Sequence, residues 1–98
     1  MYKSIILPLA KKDIRDSFLW YEQKQRGLGK RFTAQIRDKV HFIVQKPESF
    51  CVKYDNVRTV GLSIFPFMIH YWVDESHKTI IISAVFHTSR NPKIWKSR

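Results

Sequence analysis

Residues 67–87 read FMIHYWVDESHKTIIISAVFH, two apolar segments separated by the polar stretch DESHK. Apolar and β-branched residues fill both segments, so we predict neighbouring strands over Phe67–Val73 and Thr79–Phe86. The second segment is apolar on both faces, which is typical of a central strand, and the first strand of the chain is one candidate neighbour. The residues that follow, Thr88–Trp95, are polar and cationic. This strand therefore leads directly into side chains that a rigid sheet can hold in place for function.

Nearer the N-terminus the apolar period changes from two residues to the helical value. A short strand is predicted over Ile5–Leu7, and Pro8 is suited to the first turn of the helix that follows. Two helices then bury one stripe each, formed by Ala10, Ile14, Phe18 and Tyr21 in the first and by Phe32, Ile36, Val40 and Ile43 in the second. Gly27 and Gly29 are predicted to separate the helices, and Pro47 to end the second.

The order of elements indicates an α+β fold. We expect one domain over residues 1–98, with the order β-α-α-β-β-β and a helical hairpin packed on a small, mostly antiparallel sheet. Ninety-eight residues, of which 44% are hydrophobic, suffice for a single core.

The charge balance indicates an anionic partner. Lys and Arg number 18 against 8 Asp and Glu, so the formal net charge is +10. One cluster, formed by Lys24, Arg26, Lys30 and Arg31, has no acidic member; it is suited either to phosphates or to carboxylates, and a solvated surface is the simpler interpretation.

Features that the sequence lacks lead to predictions about the compartment and about cofactors. The apolar run near the N-terminus is interrupted by Pro8 and is short for a signal peptide, and no segment approaches the length of a membrane span, so we expect a cytoplasmic protein without a membrane partner. Cys51 is the single cysteine, which excludes an internal disulfide in this sequence. The four histidines lack short ligand spacing and no glycine-rich phosphate loop occurs, so no metal and no cofactor are predicted.

Several short motifs occur together over almost the whole chain. They are Ala10-x-x-Asp13-Ile14, Trp20-Tyr21-Glu22, Gly27-Leu28-Gly29-x-x-Phe32, Pro47-x-x-Phe50, Val57-Arg58, Phe65-Pro66-Phe67-x-Ile69-x-Tyr71 and Ala84-Val85-Phe86-His87-x-x-Arg90-x-Pro92-x-x-Trp95. In this order and spacing the chain resembles the RelE/ParE superfamily of toxins from bacterial type II toxin–antitoxin systems. Its tail is similar to the ParE-like, plasmid-stabilisation type.

The resemblance implies a partner and a choice between two activities. The partner is a cognate antitoxin, an acidic or amphipathic peptide laid across the toxin. RelE-like members are ribosome-dependent mRNA endonucleases, whereas ParE-like members inhibit DNA gyrase without nuclease chemistry. We therefore expect either a binding inhibitor of a replication target such as DNA gyrase or, as the alternative, an endonuclease acting on mRNA at the ribosome. A second alternative is a non-toxic, basic RNA-binding module.

Three residues are the catalytic candidates if the chain is a nuclease. Arg58 corresponds in position to a phosphate-binding arginine of RelE-like nucleases, but the lysine pair expected upstream is missing and Lys53 is the nearest substitute. His87 has the side chain whose ordinary pKa suits acid or base catalysis, and Arg90 is suited to neutralising a phosphate. The competing interpretation of His87 is a strand-end histidine that bonds to the backbone of the tail. The missing lysine pair favours the binding inhibitor.

Further residues are predicted to contact a partner. Lys53, Tyr71, Lys93 and Trp95 are the binding candidates. Tyr71 alternates with His70 and Trp72, so one face of this strand meets the core and the other a ligand, a helix or the antitoxin, and the register is left open. Trp95 is suited to stacking on a base or filling a groove, although pinning the tail to the sheet is favoured. Trp20 falls off the buried helical stripe and is a candidate partner anchor.

Overall fold

In the computed structural model, residues 2–90 and 92–97 are described, with side chains as far as Trp95. The elements along the chain are β1 (Lys3–Ile6), α1 (Pro8–Lys24), α2 (Leu28–Gln45), β2 (Val52–Tyr54), β3 (Val57–Gly61), β4 (Phe67–Asp74), β5 (Thr79–His87) and a terminal 3-10 helix (Pro92–Ser97). The predicted α+β fold, with a helical hairpin on a mostly antiparallel sheet, is confirmed. Four strands follow the helices rather than the three of the predicted order. The additional strand, β2, is three residues long and lies within residues 50–54, whose pattern predicts extended backbone but which that order did not count.

The sheet of the described residues has five strands in the order β1-β5-β4-β3-β2. β1 runs parallel to β5, and the remaining pairs are antiparallel. β5 therefore lies between β1 and β4, as its apolar character on both faces predicted. The helices cover one face of this sheet, which we call the helix face, and the terminal 3-10 helix lies against the other, which we call the back face.

A β-bulge in β5 decides which side chains reach which face. Tyr71 of β4 is paired with Ile82, whereas the preceding His70 is paired with Ala84, so Ser83 is an extra residue in β5. Because successive side chains alternate across a strand, one extra residue reverses the alternation for everything after it. Before the bulge, the even-numbered residues of β5 lie on the helix face. After the bulge, the odd-numbered residues do.

The two helices meet closely at their connection. Pro8 begins α1 and the chain leaves it after Lys24. Gly27 caps α2 with φ of 87°, a left-handed conformation that favours glycine. Gly29 does not separate the helices as predicted: it lies in the first turn of α2, and a Cβ there would be 2.6 Å from the backbone oxygen of Phe18. Its missing side chain is what lets the helices approach.

The core lies between the helices and the sheet. The predicted stripe of α2 is buried throughout, and Ala10 and Tyr21 are buried in α1. The ring centroids of Tyr21 and Phe65 are 4.9 Å apart and those of Phe32 and Phe67 are 5.1 Å apart, both edge-on. Such pairs contribute about 0.5–1.5 kcal/mol each beyond the area they bury. This aromatic cluster fixes α1 and the hairpin over the end of the sheet where His87 lies.

Candidate functional site

Arg58 and Tyr71 face the helices and tie the loop after α2 to the sheet. They are opposite each other on β3 and β4. A guanidinium nitrogen of Arg58 (Nη1) donates to the carbonyl oxygen of Phe50 at 2.5 Å, and the Tyr71 hydroxyl donates to that of Pro47 at 2.7 Å. Burial raises the pKa of Tyr71 to about 12, although nearby Arg58 acts in the opposite direction. Tyr71 is thus a protonated core residue, with no exposed surface for a partner.

His87 ends β5 at the other end of the helix face. Its Nδ1 accepts the backbone N–H of Ser89 at 3.1 Å and lies 2.8 Å from the Ser89 hydroxyl oxygen. Since Nδ1 is the acceptor, the neutral ring carries its proton on Nε2. The ring centroid is 5.2 Å from that of Phe67, its cross-strand partner. This hydrogen bond corresponds to the competing interpretation of His87, a strand-end histidine that bonds to the backbone of the tail.

Arg90 lies on the opposite face from His87. The turn after β5 is closed by the Arg90 N–H, which donates to the carbonyl oxygen of His87 at 3.0 Å, and the Thr88 N–H donates to the carbonyl oxygen of Pro66 at 2.8 Å. The guanidinium of Arg90 is 5.2 Å from the ring centroid of Phe86. Phe86 pairs with Met68 and faces the back of the sheet, because the bulge has moved the odd-numbered His87 to the helix face.

The three catalytic candidates therefore do not converge. Arg58 is paired with Tyr71 of β4, and His87 is paired with Phe67 of the same strand. Tyr71 and Phe67 are four residues apart, so Arg58 and His87 are separated by about 13 Å along the strand direction. The two residues also lie on strands either side of β4, about 10 Å apart. With Arg90 on the back face, no two of these side chains are brought to a common point.

The other binding candidates lie on separate parts of the surface. Lys53 is exposed on the short edge strand β2, and Lys93 is exposed on the terminal 3-10 helix. Trp95 is half-buried against the back face, with its ring 4.7 Å from that of His70 and 5.6 Å from that of Tyr54. The hydroxyl of Tyr54 lies 2.9 Å from Nδ1 of His70, which is fully buried. Trp95 thus packs the terminal helix onto the sheet.

An open groove of about 490 Å³ lies on the helix face beside His87. Its lining is Asp16, Ser17, Trp20, Tyr21, Pro66, Phe67 and His87. Trp20 is 54% exposed, an unusually large exposure for a tryptophan, and it stands edge-on to Tyr21 at 5.1 Å. The groove is the concave apolar surface next to a predicted site residue, and it includes the tryptophan that the sequence singled out as an anchor.

Two further findings bear on the kind of site. Among residues 2–90 and 92–97, no three side chains of the His, Cys, Asp and Glu types are grouped so that they could hold a metal ion. In the same part of the chain, neither helix has the length and apolar character needed to span a membrane.

The family model for the ParE toxin of the type II toxin–antitoxin system parDE matches residues 5–92. The chain belongs to this ParE toxin family. The match includes both helices, the strands from β2 to β5, and the turn that carries Arg90. A comparison with curated protein sequences gives no significant match.

Solved structures of toxins share the fold of this ParE family member. A chain of the chromosomal ParDE system from P. aeruginosa is similar with a TM-score of 0.79 and 18% identity, over 91% of this chain and 98% of that one. The isolated E. coli RelE toxin has a TM-score of 0.69 and 15% identity, over 99% of this chain and 95% of that one. A chain of the intact E. coli RelBE complex has a TM-score of 0.70 and 16% identity, over 92% of this chain and 100% of that one. At these identities the likeness concerns the fold.

The family motif on α1 has a structural explanation here. Oδ2 of Asp13 accepts the backbone N–H of Val85 at 3.0 Å. Val85 follows the bulge at Ser83, so Asp13 ties α1 to β5 next to the point where the alternation reverses. Sequence reasoning singled out Asp13 only as a motif member, because a helix-to-strand contact between residues 72 positions apart has no local signal.

Proposed function

We propose that this ParE family member is the toxin of a type II toxin–antitoxin pair and that it arrests growth by binding a replication target, with DNA gyrase as the first candidate. Its partner in this proposal is a cognate antitoxin with an acidic or amphipathic segment. The net charge of +10 supports an acidic partner, as do structural neighbours that are themselves toxin–antitoxin complexes.

The separation of Arg58, His87 and Arg90 is the observation that favours binding over RNA cleavage. Cleavage by the 2′-hydroxyl needs a base, a cationic group at the developing phosphorane and an acid, all within hydrogen-bond reach of one phosphate. Here Arg58 is engaged by the carbonyl of Phe50. His87 lies on the helix face, whereas Arg90 lies against Phe86 on the back face. A ribosome-dependent nuclease would require these groups to be rearranged by the ribosome.

The apolar groove beside His87 supports a binding mode. Large aromatic side chains in partly desolvated pockets carry most of the free energy of protein–protein association. Trp20, Tyr21 and Phe67 form such a surface, and Lys24 lies 4.9 Å from the Trp20 ring at its margin. A partner segment with one large apolar side chain and neighbouring carboxylates complements this surface.

The test compares wild type with His87→Ala and Trp20→Ala after brief induction in cells. We expect wild type to arrest growth with intact messages by primer extension, and purified protein to inhibit gyrase supercoiling. His87→Ala should keep most of the toxicity. Trp20→Ala should raise the amount of protein needed for growth arrest at least tenfold. Leu19→Ala, also about half-exposed on α1 but outside the groove, is the matched control.

Two results would change the proposal. Cuts inside translated codons that disappear in His87→Ala or Arg58→Ala would establish the endonuclease instead. Normal growth, together with binding to RNA alone, would leave the non-toxic RNA-binding module.

A further inference from the structure

A cationic surface covers the end of the helical hairpin. It consists of four exposed residues from three consecutive parts of the chain: Lys24 at the end of α1, Arg26 in the connection, and Lys30 and Arg31 in the first turns of α2. We call these four the hairpin cluster. The antiparallel packing of α1 and α2 brings them to one end of the molecule, about 20 Å or more from the N-terminal turn of α1.

The charge of the hairpin cluster is largely uncompensated. Within residues 2–90 and 92–97, none of its members has a carboxylate within 4 Å in an ion pair, whereas Lys12 pairs with Asp16 farther along α1. The carboxylate nearest in sequence, Glu22, is turned inward and accepts the N–H groups of Gly27, Gly29 and Lys30. It offsets one of the four positive charges at most, and it also occupies the N-terminus of α2, so any anion must be bound by the side chains.

The neighbouring exposed residues favour a phosphate backbone over a protein chain. Gln23 and Gln25 are exposed between the cations, so this end of the hairpin displays amides, ammonium groups and guanidinium groups. Protein interfaces depend on buried apolar anchors. Here such anchors line the groove beside His87, which the cluster borders through Lys24 and Trp20, whereas Arg26, Lys30 and Arg31 are not in the groove lining. Nucleic-acid contacts instead depend on neutralised phosphates and on amide or guanidinium hydrogen bonds to phosphate and sugar.

We infer that the hairpin cluster is a binding surface for the phosphodiester backbone of a nucleic acid, independent of base sequence. The proposal goes beyond the toxin's target and does not depend on it, because three of the four residues, Arg26, Lys30 and Arg31, are not part of the groove lining. Lys24 is the member that borders the groove, through its contact with Trp20. Phosphates of DNA and of RNA share the required chemistry.

The experiment measures the anisotropy of a fluorescein-labelled 20-base-pair DNA duplex and of a 20-nucleotide RNA, titrated with the purified full chain at 50–200 mM NaCl. If the four cations each neutralise one phosphate, the plot of log K against log salt for the duplex should have a slope of about −3.6. The variant Lys24→Gln, Arg26→Gln, Lys30→Gln, Arg31→Gln should bind at least tenfold more weakly and with a slope near zero.

A control variant with the same loss of charge separates the cluster from bulk electrostatics. It carries Lys3→Gln, Lys11→Gln, Lys12→Gln and Lys46→Gln, all exposed and remote from the hairpin end. We expect it to keep duplex affinity within about threefold, and circular dichroism to show both variants folded. The proposal is supported if the binding of either nucleic acid depends on the hairpin cluster. Comparing the affinities for the duplex and for the RNA identifies which is preferred.

Three results would overturn it. The first is equal weakening by both variants, which would mean bulk charge only. The second is absence of binding by wild type at 50 mM NaCl. The third is a hairpin-cluster variant that keeps its nucleic-acid affinity but loses affinity for a poly-glutamate peptide, which would assign the surface to an acidic protein chain. Growth arrest and gyrase inhibition are separate readouts, so failure of either proposal leaves the other measurable.

Discussion

At the scale of single residues, Gly29 and Glu22 join the two helices at one point. Gly29 leaves space for the backbone of α1, and its N–H donates to the Glu22 carboxylate at 2.8 Å. The same carboxylate caps a helix that begins at Leu28 without a side-chain cap at its own N-cap residue. This capping by a residue of the preceding helix brings the Trp20-Tyr21-Glu22 and Gly27-Leu28-Gly29 motifs into contact.

Replacing Gly29 by alanine tests the close approach. The new Cβ would lie 2.6 Å from the Phe18 oxygen, so a helix must shift, and we expect a loss of about 1–3 kcal/mol in the free energy of unfolding. Gly61→Ala is the control, because a Cβ there has nothing within 4 Å. Urea denaturation of both variants measures the difference. Equal stability of the two would contradict the packing role of Gly29.

Glu22 makes part of the stability dependent on pH. Hydrogen bonds from Gly27, Lys30 and Gly29 hold the pKa of Glu22 below its ordinary value, against the opposing effect of desolvation. A lowered pKa in the folded state contributes stability above the unfolded pKa of about 4.3, and this contribution is lost as pH falls through the folded value.

The corresponding experiment compares Tm at pH 7 and at pH 3. Wild type should lose more stability on acidification than Glu22→Gln, because the variant has already lost the charge-assisted bonds. Glu48→Gln, which removes an exposed carboxylate elsewhere, should follow wild type. Parallel pH profiles for wild type and Glu22→Gln would show that the capping bonds do not contribute.

At the scale of elements, the position of α1 on β5 depends on the bulge. Ser83 is the extra residue, and Asp13 accepts the N–H of Val85 just beyond it. The bulge also allows Phe86 to join His70 and Trp95 on the back face while His87 borders the groove on the helix face. One inserted residue thus supplies side chains to two different surfaces.

Removing the Asp13 carboxylate should loosen α1 from β5. Asp13→Ala leaves the partly buried N–H of Val85 without this acceptor, and we expect a loss of about 1–3 kcal/mol. Asp16→Ala on the same helix is the control, since its exposed pair with Lys12 contributes at most about 1 kcal/mol. Denaturant unfolding measures stability, and hydrogen exchange at Val85 reports the local effect. Unchanged protection there in Asp13→Ala would refute the assignment.

At the scale of the whole molecule, charge is the dominant surface property. A net charge of +10 is confined to a body of about 41 × 30 × 23 Å. Many like charges therefore lie within one Debye length of one another at low salt, roughly 30 Å at 0.01 M, and their repulsion opposes the compact state. A binding partner with negative charge relieves this repulsion, so binding and stability are coupled.

Salt should consequently stabilise the isolated chain. We expect Tm to rise between 10 and 100 mM NaCl as screening increases. The increase should be smaller for the variant in which the hairpin cluster is replaced by glutamine, because part of the repulsion is already removed. Scanning calorimetry or thermal circular dichroism measures it. A Tm that falls with salt would mean that attractive charge pairs outweigh the repulsion.

Local patterns were sufficient to predict the elements and their class. The periods of two and 3.6 residues, with Pro8, Gly27 and Pro47 at the boundaries, predicted the strands, the buried stripe of α2 and the central position of β5. Of the predicted α1 stripe, Ala10 and Tyr21 are buried, whereas Ile14 and Phe18 are half-buried. These signals are local because they depend on which face of an element meets water. The pattern predicts extended backbone over residues 50–54, but the predicted order did not count this segment as a strand, since three residues are too few for periodicity. The helical position of Gly29 was not predicted, since a glycine in a turn resembles one at a close helix contact.

The arrangement of the candidate site was decided by tertiary contacts. Strict alternation predicts that residues 80, 82, 84 and 86 share a face, and only the pairing of β5 with β4 shows that Ser83 is bulged. That one residue puts His87 on the helix face and Phe86, with Arg90 against it, on the back face. Packing of the loop after α2 buries Tyr71 and engages Arg58. Register and bulges depend on contacts between distant segments, whose free energy is not visible in any short stretch of sequence.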